Sequence, residues 1–202
     1  MNLEELVSII INRNAGNGNE EFAAYAEELS PNYPAYVHST QTATGMGKRL
    51  QTDLENGLKL VVICGGDGTL MSAANFMLEY CSRTGRAMPQ IAYIPRGTGN
   101  LLKSLIGIEG IENPLKLLLD SFVKSKSDDL PTLSFPQVKT TFTNANTGKE
   151  KVLLYSMTGS GMDAALLQDF ERVCRGRYGP LSNGVPGYVR TVVGRTIPRE
   201  LY

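Results

Sequence analysis

The sequence has few of the residues that metal-dependent and histidine-dependent chemistry needs. Its 202 residues include no tryptophan, a single histidine, His38, and three cysteines, Cys64, Cys81 and Cys174, with no Cys-x-x-Cys pair. A zinc site built from the usual His and Cys ligands is therefore excluded. A Ser-His-Asp or Cys-His centre would need His38 as its base. The isolated cysteines suggest free thiols and a reducing compartment, so we expect a cytoplasmic protein, either free or peripheral at a membrane.

The chain also lacks an excess of charge and a long apolar run. Lys plus Arg and Asp plus Glu each number 20, so the formal net charge is zero, which disfavours a nucleic-acid partner. No apolar run approaches the length that spans a bilayer, so we expect no transmembrane segment. The N-terminal residues have no basic segment of the kind that begins a secretory signal. Hydrophobic residues make up 42% of the chain, enough to build a core.

The first 125 residues alternate between strand-like and helix-like patterns. Helical spacing of apolar residues is clearest at Leu70, Ala73, Ala74, Met77 and Leu78, which predicts one buried helix face. Strand–helix alternation is typical of βαβ units, so the pattern predicts a Rossmann-like, mostly parallel α/β domain over residues 1–125. The predicted strands cover residues 7–11, 35–38, 58–64 and 91–94, and the last two predicted helices cover 100–106 and 113–124.

After residue 125 the pattern changes to short β-like runs. A polar stretch over 125–129 separates the two regions, and the segment 144–148 has the Asn and Gly content of a hairpin turn. We therefore predict that residues 126–202 begin a second, β-rich domain. The predicted strands cover 130–135, 138–143 and 152–157, and weaker helical patterns cover 162–173 and 189–197.

Three glycine-containing loops follow predicted buried strands and precede predicted helices. They are Asn12-Arg13-Asn14-Ala15-Gly16-Asn17-Gly18, Cys64-Gly65-Gly66-Asp67-Gly68-Thr69-Leu70 and Pro95-Arg96-Gly97-Thr98-Gly99-Asn100. Glycine allows a ligand to approach the backbone closely, and a helix N-terminus offers N–H groups to phosphate. Because ligands of open α/β sheets bind at the carboxyl ends of the strands, the three loops together predict a phosphate-binding crevice. Neither the Rossmann G-x-G-x-x-G pattern nor a P-loop is present.

The second loop carries a carboxylate, Asp67, and a hydroxyl, Thr69. A structural interpretation makes Thr69 the N-cap of the next helix and Asp67 a charge favoured by the helix dipole. That interpretation accounts for either residue, but it does not explain glycines at 65, 66 and 68. We therefore predict a role in binding phosphate and Mg²⁺.

Gly65-Gly66-Asp67-Gly68-Thr69-Leu70 together with Pro95-x-Gly97-Thr98-x-Asn100 resembles the diacylglycerol kinase catalytic-domain family. That family includes bacterial lipid kinases, sphingosine kinases and ceramide kinase. The first loop is similar to the family's Asn-Pro-x-x-Gly segment, with Arg13 where proline is usual. Gly159-Ser160-Gly161-Met162-Asp163-Ala164 is similar to the family's Gly-x-Gly-x-Asp-Ala segment. The resemblance spans roughly residues 6–175.

The resemblance implies an N-terminal α/β domain, a C-terminal β-sandwich, and ATP and Mg²⁺ as cofactors. It implies an ATP-dependent lipid kinase that transfers the γ-phosphate to a lipid hydroxyl at a membrane surface. Asp67 would hold Mg²⁺ or accept the proton of that hydroxyl, and Asp163 would either contact the acceptor or the nucleotide or cap a helix. The residues expected to line the nucleotide are Asn12, Gly16, Thr42, Thr44, Gly65, Gly66, Gly68, Thr69, Gly97, Thr98 and Asn100.

Two alternatives stay open. The first is an NAD kinase-like enzyme, because NAD kinases share the Gly-Gly-Asp-Gly-Thr element, although they lack the Pro-x-Gly-Thr-x-Asn element.

The chain also departs from the family pattern. Leu101 and Leu102 follow Asn100 where many family members have an acidic residue, and no Pro-x-Ala-x-x-x-Asp-Gly segment follows. We therefore expect the chain to be the N-terminal part, or a C-terminally truncated form, of such a kinase, with little or no activity by itself. The second alternative is a non-catalytic nucleotide-binding module.

Overall fold

The structure is a computed structural model. The residues that it describes are 6–15, 19–97, 102–103, 111–124, 132, 138–143, 147–148 and 150–155. The chain divides into two compact units, Met1–Pro136 with Thr141–Leu154, and Gln137–Thr140 with Tyr155–Tyr202. The proposed domain boundary at residue 125 stays a prediction.

The first unit contains a parallel four-stranded sheet, which confirms the predicted α/β fold. Its strands lie in the order β2-β1-β3-β4. The chain passes from β1 outward to β2 and then crosses back to β3, so the strand order reverses between β1 and β3. Ligands of such sheets bind at this reversal point. The strands are β1 (Leu6–Asn12), β2 (Ala35–Thr40), β3 (Leu58–Gly65) and β4 (Gln90–Pro95).

The helices agree with the predicted periodic segments. A short 3-10 helix, Ser30–Asn32, follows the first of them. Of the helix predicted over residues 100–106, the structure describes Leu102 and Lys103, and both are helical. The α-helices are α1 (Asn19–Leu29), α2 (Ala43–Glu55), α3 (Asp67–Thr84) and α4 (Pro114–Lys124).

The sheet is buried on both faces, which explains the continuous apolar runs of β1 and β3. Successive side chains of a strand point to opposite faces, so Ile10 packs with α2 and α3 while Ile9 and Ile11 pack with α1 and α4. The central strands are therefore packed between two helical layers.

One detail of the predicted α3 face is wrong. Leu78 was expected to be buried, but it is 41% exposed, whereas Tyr80 and Cys81 are buried. The buried stripe follows Ala73, Met77 and Tyr80 at helical spacing, which leaves Leu78 at its margin.

Two further strands pair into a small sheet, β5 (Val138–Thr143) and β6 (Glu150–Tyr155). Between them Gly148 has a φ of +64°, a left-handed conformation that glycine adopts readily. The strand β6 begins two residues before the predicted start at residue 152. The strand predicted over 130–135, apart from residue 132, and the helical patterns over 162–173 and 189–197 lie outside the described residues.

Beneath α2 a serine, an aspartate and the histidine form a buried polar cluster. Ser8 Oγ donates a hydrogen bond to Asp53 Oδ2 over 2.6 Å. His38 Nε2 lies 3.0 Å from the same oxygen, but this buried nitrogen makes no hydrogen bond within the described part of the chain. Ser8 contacts the carboxylate and not the imidazole, and it is fully buried. The cluster therefore does not have the arrangement of a hydrolase triad.

We predict that Asp53→Ala destabilises the fold by about 2–4 kcal/mol, because it leaves the buried Ser8 hydroxyl without its acceptor and removes the carboxylate that lies beside His38 Nε2. Urea unfolding of the variant measures this loss. Asp53→Asn keeps an acceptor for Ser8 and should lose less. A loss below about 1 kcal/mol for Asp53→Ala would show that the cluster contributes little beyond an ordinary hydrogen bond.

Candidate functional site at the carboxyl ends of the strands

Asn12 is the last residue of β1 and connects the first loop to the second. Its side-chain amide donates to Thr69 Oγ1 over 2.8 Å. Its side-chain carbonyl accepts from the backbone N–H of Asn14 at 2.9 Å. The side chain of Asn12 thus fixes the turn after β1 and joins it to the first turn of α3.

Thr69 is not the N-cap of α3. The N-cap of α3 is Gly66, and it makes no side-chain cap hydrogen bond. Thr69 lies inside the first turn, where its hydroxyl accepts from Asn12. The alternative interpretation of Thr69 as the N-cap therefore does not hold, because the helix begins at Asp67, two residues earlier.

Glycines 65 and 66 are explained by close contacts. None of the positive-φ residues among the described part of the chain lies in the second loop. A Cβ on Gly65 would lie 2.7 Å from the side chain of Thr69, and one on Gly66 would lie 3.3 Å from the Cα of Gly97. Glycine at these positions therefore lets α3 start close to β3 and lets the second and third loops touch.

Gly68 has no such explanation. It is exposed, and a Cβ added to it would meet no described atom within 4 Å. Alanine would stabilise a helix by roughly 0.5–1 kcal/mol relative to glycine. Neither packing nor backbone conformation among the described residues requires glycine here. The close approach of a bound group to the N–H groups at the start of α3 would require it.

The third loop is joined to the second through the backbone. Arg96 N–H donates to the carbonyl oxygen of Gly65 over 2.7 Å, continuing the pairing of β3 with β4. The Arg96 guanidinium lies 4.8 Å from the centre of the Phe22 ring, a cation–π distance. The structure thus brings together parts of all three glycine loops, as the parallel topology predicted.

Asp67 is held by a tyrosine that the sequence did not single out. Tyr93, on β4, donates its hydroxyl to Asp67 Oδ1 over 2.9 Å. Burial, followed by this hydrogen bond, raises the pKa of Tyr93 well above its usual value of 10.0. Tyr93 therefore stays protonated and remains a donor to the carboxylate throughout the physiological pH range.

Thr42 and Thr44 lie at the start of α2, beside the first loop. Thr42 is the N-cap of α2 and accepts from Gly45 N–H at 3.0 Å, while Thr44 is exposed in the first turn. The side chain of Asn14 donates to the Gln41 carbonyl over 2.8 Å and joins this turn to the first loop. The cap bond gives Thr42 a structural role that sequence reasoning did not anticipate.

Other predicted site residues lie outside the described residues, and they stay predictions. They are Gly16, Thr98, Asn100 and Asp163.

The single carboxylate of Asp67 suits Mg²⁺ better than a metal ion that needs all of its ligands from protein side chains. Among the described residues no three His, Cys, Asp or Glu side chains cluster in a way that could hold a metal. Mg²⁺ is usually bound by one or two carboxylates together with substrate phosphates and water. A single carboxylate beside a helix N-terminus fits that pattern.

Comparison with protein families gives a match that covers more than half of the chain. Residues 7–133 match the diacylglycerol kinase catalytic domain. The chain belongs to the diacylglycerol kinase catalytic-domain family. A search of curated proteins found no match.

Two solved structures illustrate the similarity. A diacylglycerol kinase from Bacillus anthracis str. Sterne is 24% identical, with a TM-score of 0.47, over 57% of this chain and 42% of its own. A phosphate-loop protein solved in solution is 16% identical, with a TM-score of 0.34, over 54% of this chain and 97% of its own. This chain thus spans less than half of the length of the Bacillus anthracis kinase.

Arg13 is a departure from the Asn-Pro segment that the family resemblance leads us to expect. Its backbone N–H donates to the Thr40 carbonyl over 2.9 Å. Proline has no N–H and could not make this bond. In this member of the diacylglycerol kinase family, the first loop is therefore tied to the end of β2 by a hydrogen bond.

We predict that Tyr93→Phe weakens Mg²⁺-dependent ATP binding about threefold to tenfold, because it removes a hydrogen bond that orients Asp67. Calorimetric titration with ATP, with Mg²⁺ and with EDTA, measures the effect. The matched control is Tyr33→Phe, since Tyr33 also donates to an aspartate, Asp120, on another part of the fold. Equal effects of the two variants would show that Tyr93 has no specific role at Asp67.

Proposed function

We propose that this chain binds Mg-ATP at the three glycine loops and supplies the nucleotide-binding half of an ATP-dependent lipid kinase. The observation that carries the proposal is Gly68, an exposed glycine for which the described packing provides no need, placed at the start of an 18-residue helix. Family membership over residues 7–133 supports the reaction class.

The phosphates would lie over the N-terminus of α3. An α-helix leaves its first N–H groups without acceptors of its own and carries partial positive charge at that end. Gly66 and Gly97 would let the phosphate chain pass close to the backbone of two loops. Phosphoryl transfer depends chiefly on such positioning and on neutralising charge.

Asp67 would hold the magnesium ion or accept the proton of the lipid hydroxyl. When bound, Mg²⁺ would neutralise part of the charge on the phosphates. Tyr93 would keep the carboxylate oriented, through its hydrogen bond to Oδ1. Asn12 and Thr69 would keep the first and second loops at a fixed separation, so that the nucleotide meets a preformed surface.

Calorimetric titration with Mg-ATP, together with transfer of label from γ-labelled ATP, tests the proposal. The chain is incubated with Mg²⁺ and either lipid micelles, containing diacylglycerol, sphingosine or phosphatidylglycerol, or NAD, and the lipid and soluble products are separated. We expect saturable Mg-ATP binding, with any transferred label in the lipid fraction. Label in the NAD fraction, or no ATP binding, would contradict the proposal.

The partner that we propose for this function is a lipid acceptor. In the part of the chain that the structure describes, no helix is both long enough and apolar enough to cross a membrane. We propose, from the family resemblance, that the lipid acceptor is met at a membrane surface.

A further inference from the structure

A phenylalanine on the first helix contacts an arginine that follows β4. The Arg96 guanidinium lies over the Phe22 ring, with its central carbon 4.8 Å from the ring centre. The face of an aromatic ring attracts a cation at this distance. Phe22 is the fourth residue of α1 and lies outside the three glycine loops. The contact therefore joins α1 to the third loop.

The charge of Arg96 also lies close to the end of β3. The backbone N–H of Arg96 donates to the Gly65 carbonyl over 2.7 Å. Burial raises the pKa of the Cys64 thiol, and the positive charge of Arg96 acts on that pKa in the opposite direction. Cys64 and Gly65 are the last two residues of β3. The guanidinium is thus placed where β3 and β4 end, next to the second loop.

Arg96 and Asp67 flank this edge of the sheet from opposite faces. Phe22, which contacts the guanidinium, packs against the core cluster between the sheet and helices α1 and α4. Asp67 begins α3 on the other face, where Tyr93 donates to its carboxylate. Phosphate groups over the loops would therefore have the proposed metal ligand on one side and a guanidinium on the other.

We propose that Phe22 is a positioning residue, which holds Arg96 where its guanidinium binds the phosphates of the nucleotide. The inference rests on the proposed function and adds to it a residue from outside the glycine loops. Guanidinium groups bind phosphate through charge-assisted hydrogen bonds. An aromatic ring suits this task, because it restrains the long arginine side chain without cancelling its charge, as a carboxylate would.

Neither residue is specified by the sequence elements that carry the family resemblance. Arg96 occupies the open position of Pro95-x-Gly97-Thr98-x-Asn100, and Phe22 follows the first loop. The alternative is a purely structural contact that fastens the third loop to α1. In that case the ring and the charge would affect folding stability, and they would affect every ligand of the loops alike.

A double-mutant cycle in the full chain separates the two roles. Phe22→Leu keeps an apolar side chain and removes the ring, Arg96→Gln removes the charge, and a third variant combines both changes. Phe22→Tyr restores a ring. The matched control is Arg83→Gln, because Arg83 lies over the Tyr80 ring, 5.6 Å from its centre, in the last turn of α3. Mg-ATP affinity is measured by calorimetry, adenosine affinity by NMR titration, and stability by urea unfolding.

We expect Arg96→Gln to weaken Mg-ATP binding about tenfold and Phe22→Leu to weaken it about threefold to tenfold. Once residue 96 is glutamine, Phe22→Leu should add less than about twofold, because the ring acts through the guanidinium. Adenosine has no phosphate, so its affinity should change less than about twofold in every variant. Phe22→Tyr and Arg83→Gln should bind Mg-ATP within about twofold of the unchanged chain.

Three results would overturn the inference and leave the proposed nucleotide site in place. They are independent effects of the two substitutions on Mg-ATP binding, equal losses for ATP and adenosine, and an unchanged Mg-ATP affinity in Arg96→Gln. Absence of Mg-ATP binding by the unchanged chain is a separate outcome, which would overturn the proposed function and this inference together.

Discussion

In a form of the protein that phosphorylates lipid, replacing Asp67 with asparagine is expected to lower lipid phosphorylation by about two orders of magnitude or more, because the variant loses the charge that would hold Mg²⁺ or accept a proton. The same variant should lose the Mg²⁺ enhancement of ATP binding while it still binds ATP weakly in EDTA. Asparagine keeps an oxygen for the Tyr93 hydroxyl, so the hydrogen bond across α3 and β4 can persist. Calorimetry with and without Mg²⁺ measures the effect even where turnover is too low to follow.

The structural alternative for Asp67 makes a different prediction. As a charge in the first turn of α3, the carboxylate would stabilise the helix by about 0.3–1 kcal/mol. Asp120→Asn is the matched control, because Asp120 also accepts from a tyrosine. If Asp67→Asn lowers only the free energy of unfolding, and leaves Mg²⁺-dependent binding as Asp120→Asn does, the proposed catalytic role is wrong.

Gly68→Ala is expected to weaken ATP binding by about tenfold to a hundredfold without destabilising the protein. The added methyl group has open space around it in the described structure, and alanine favours the helix by roughly 0.5–1 kcal/mol. Thermal unfolding should therefore show equal or higher stability. The methyl group would obstruct a phosphate that approaches the start of α3, and titration with Mg-ATP measures that loss.

Gly57→Ala is the control for Gly68→Ala, because it should change stability and not ATP binding. Gly57 has a φ of +87°, which alanine adopts only with strain, and it lies between α2 and β3, at the other end of the sheet. This variant should unfold about 1–2 kcal/mol more easily and bind ATP normally. If Gly68→Ala also binds ATP normally, the phosphates do not lie where we propose.

The fold was predictable because a sheet that is buried on both faces has strands with a recognisable sequence pattern. The runs in β1 and β3 are apolar without alternation, and the helices between them repeat every three to four residues. The meeting of the glycine loops followed from topology alone, since parallel strands end at one edge. The exposed Leu78 was not predictable, because spacing defines a helix face only to within a residue or so at its margin.

Contacts between distant residues were the part that the sequence did not reveal. Tyr93 reaches Asp67 because β4 pairs with β3 in the register Ile63 to Tyr93, which puts the tyrosine on the α3 face. Alternation within β4 could have assigned that face, but not the partner. The bond from Asn12 to Thr69 likewise depends on the position of α3 over β1.

The most direct test of the central claim is the position of the nucleotide's metal relative to the glycine loops. Amide NMR spectra are recorded with Mg-ATP and then with Mn-ATP, whose paramagnetic ion broadens nearby signals. We expect broadening at Gly65, Gly66, Gly68 and Gly97, while Gly57 and Gly85, which lie away from the carboxyl ends of the strands, keep their line widths. Unchanged line widths at the loops, or broadening centred on Gly57 or Gly85, would contradict the account.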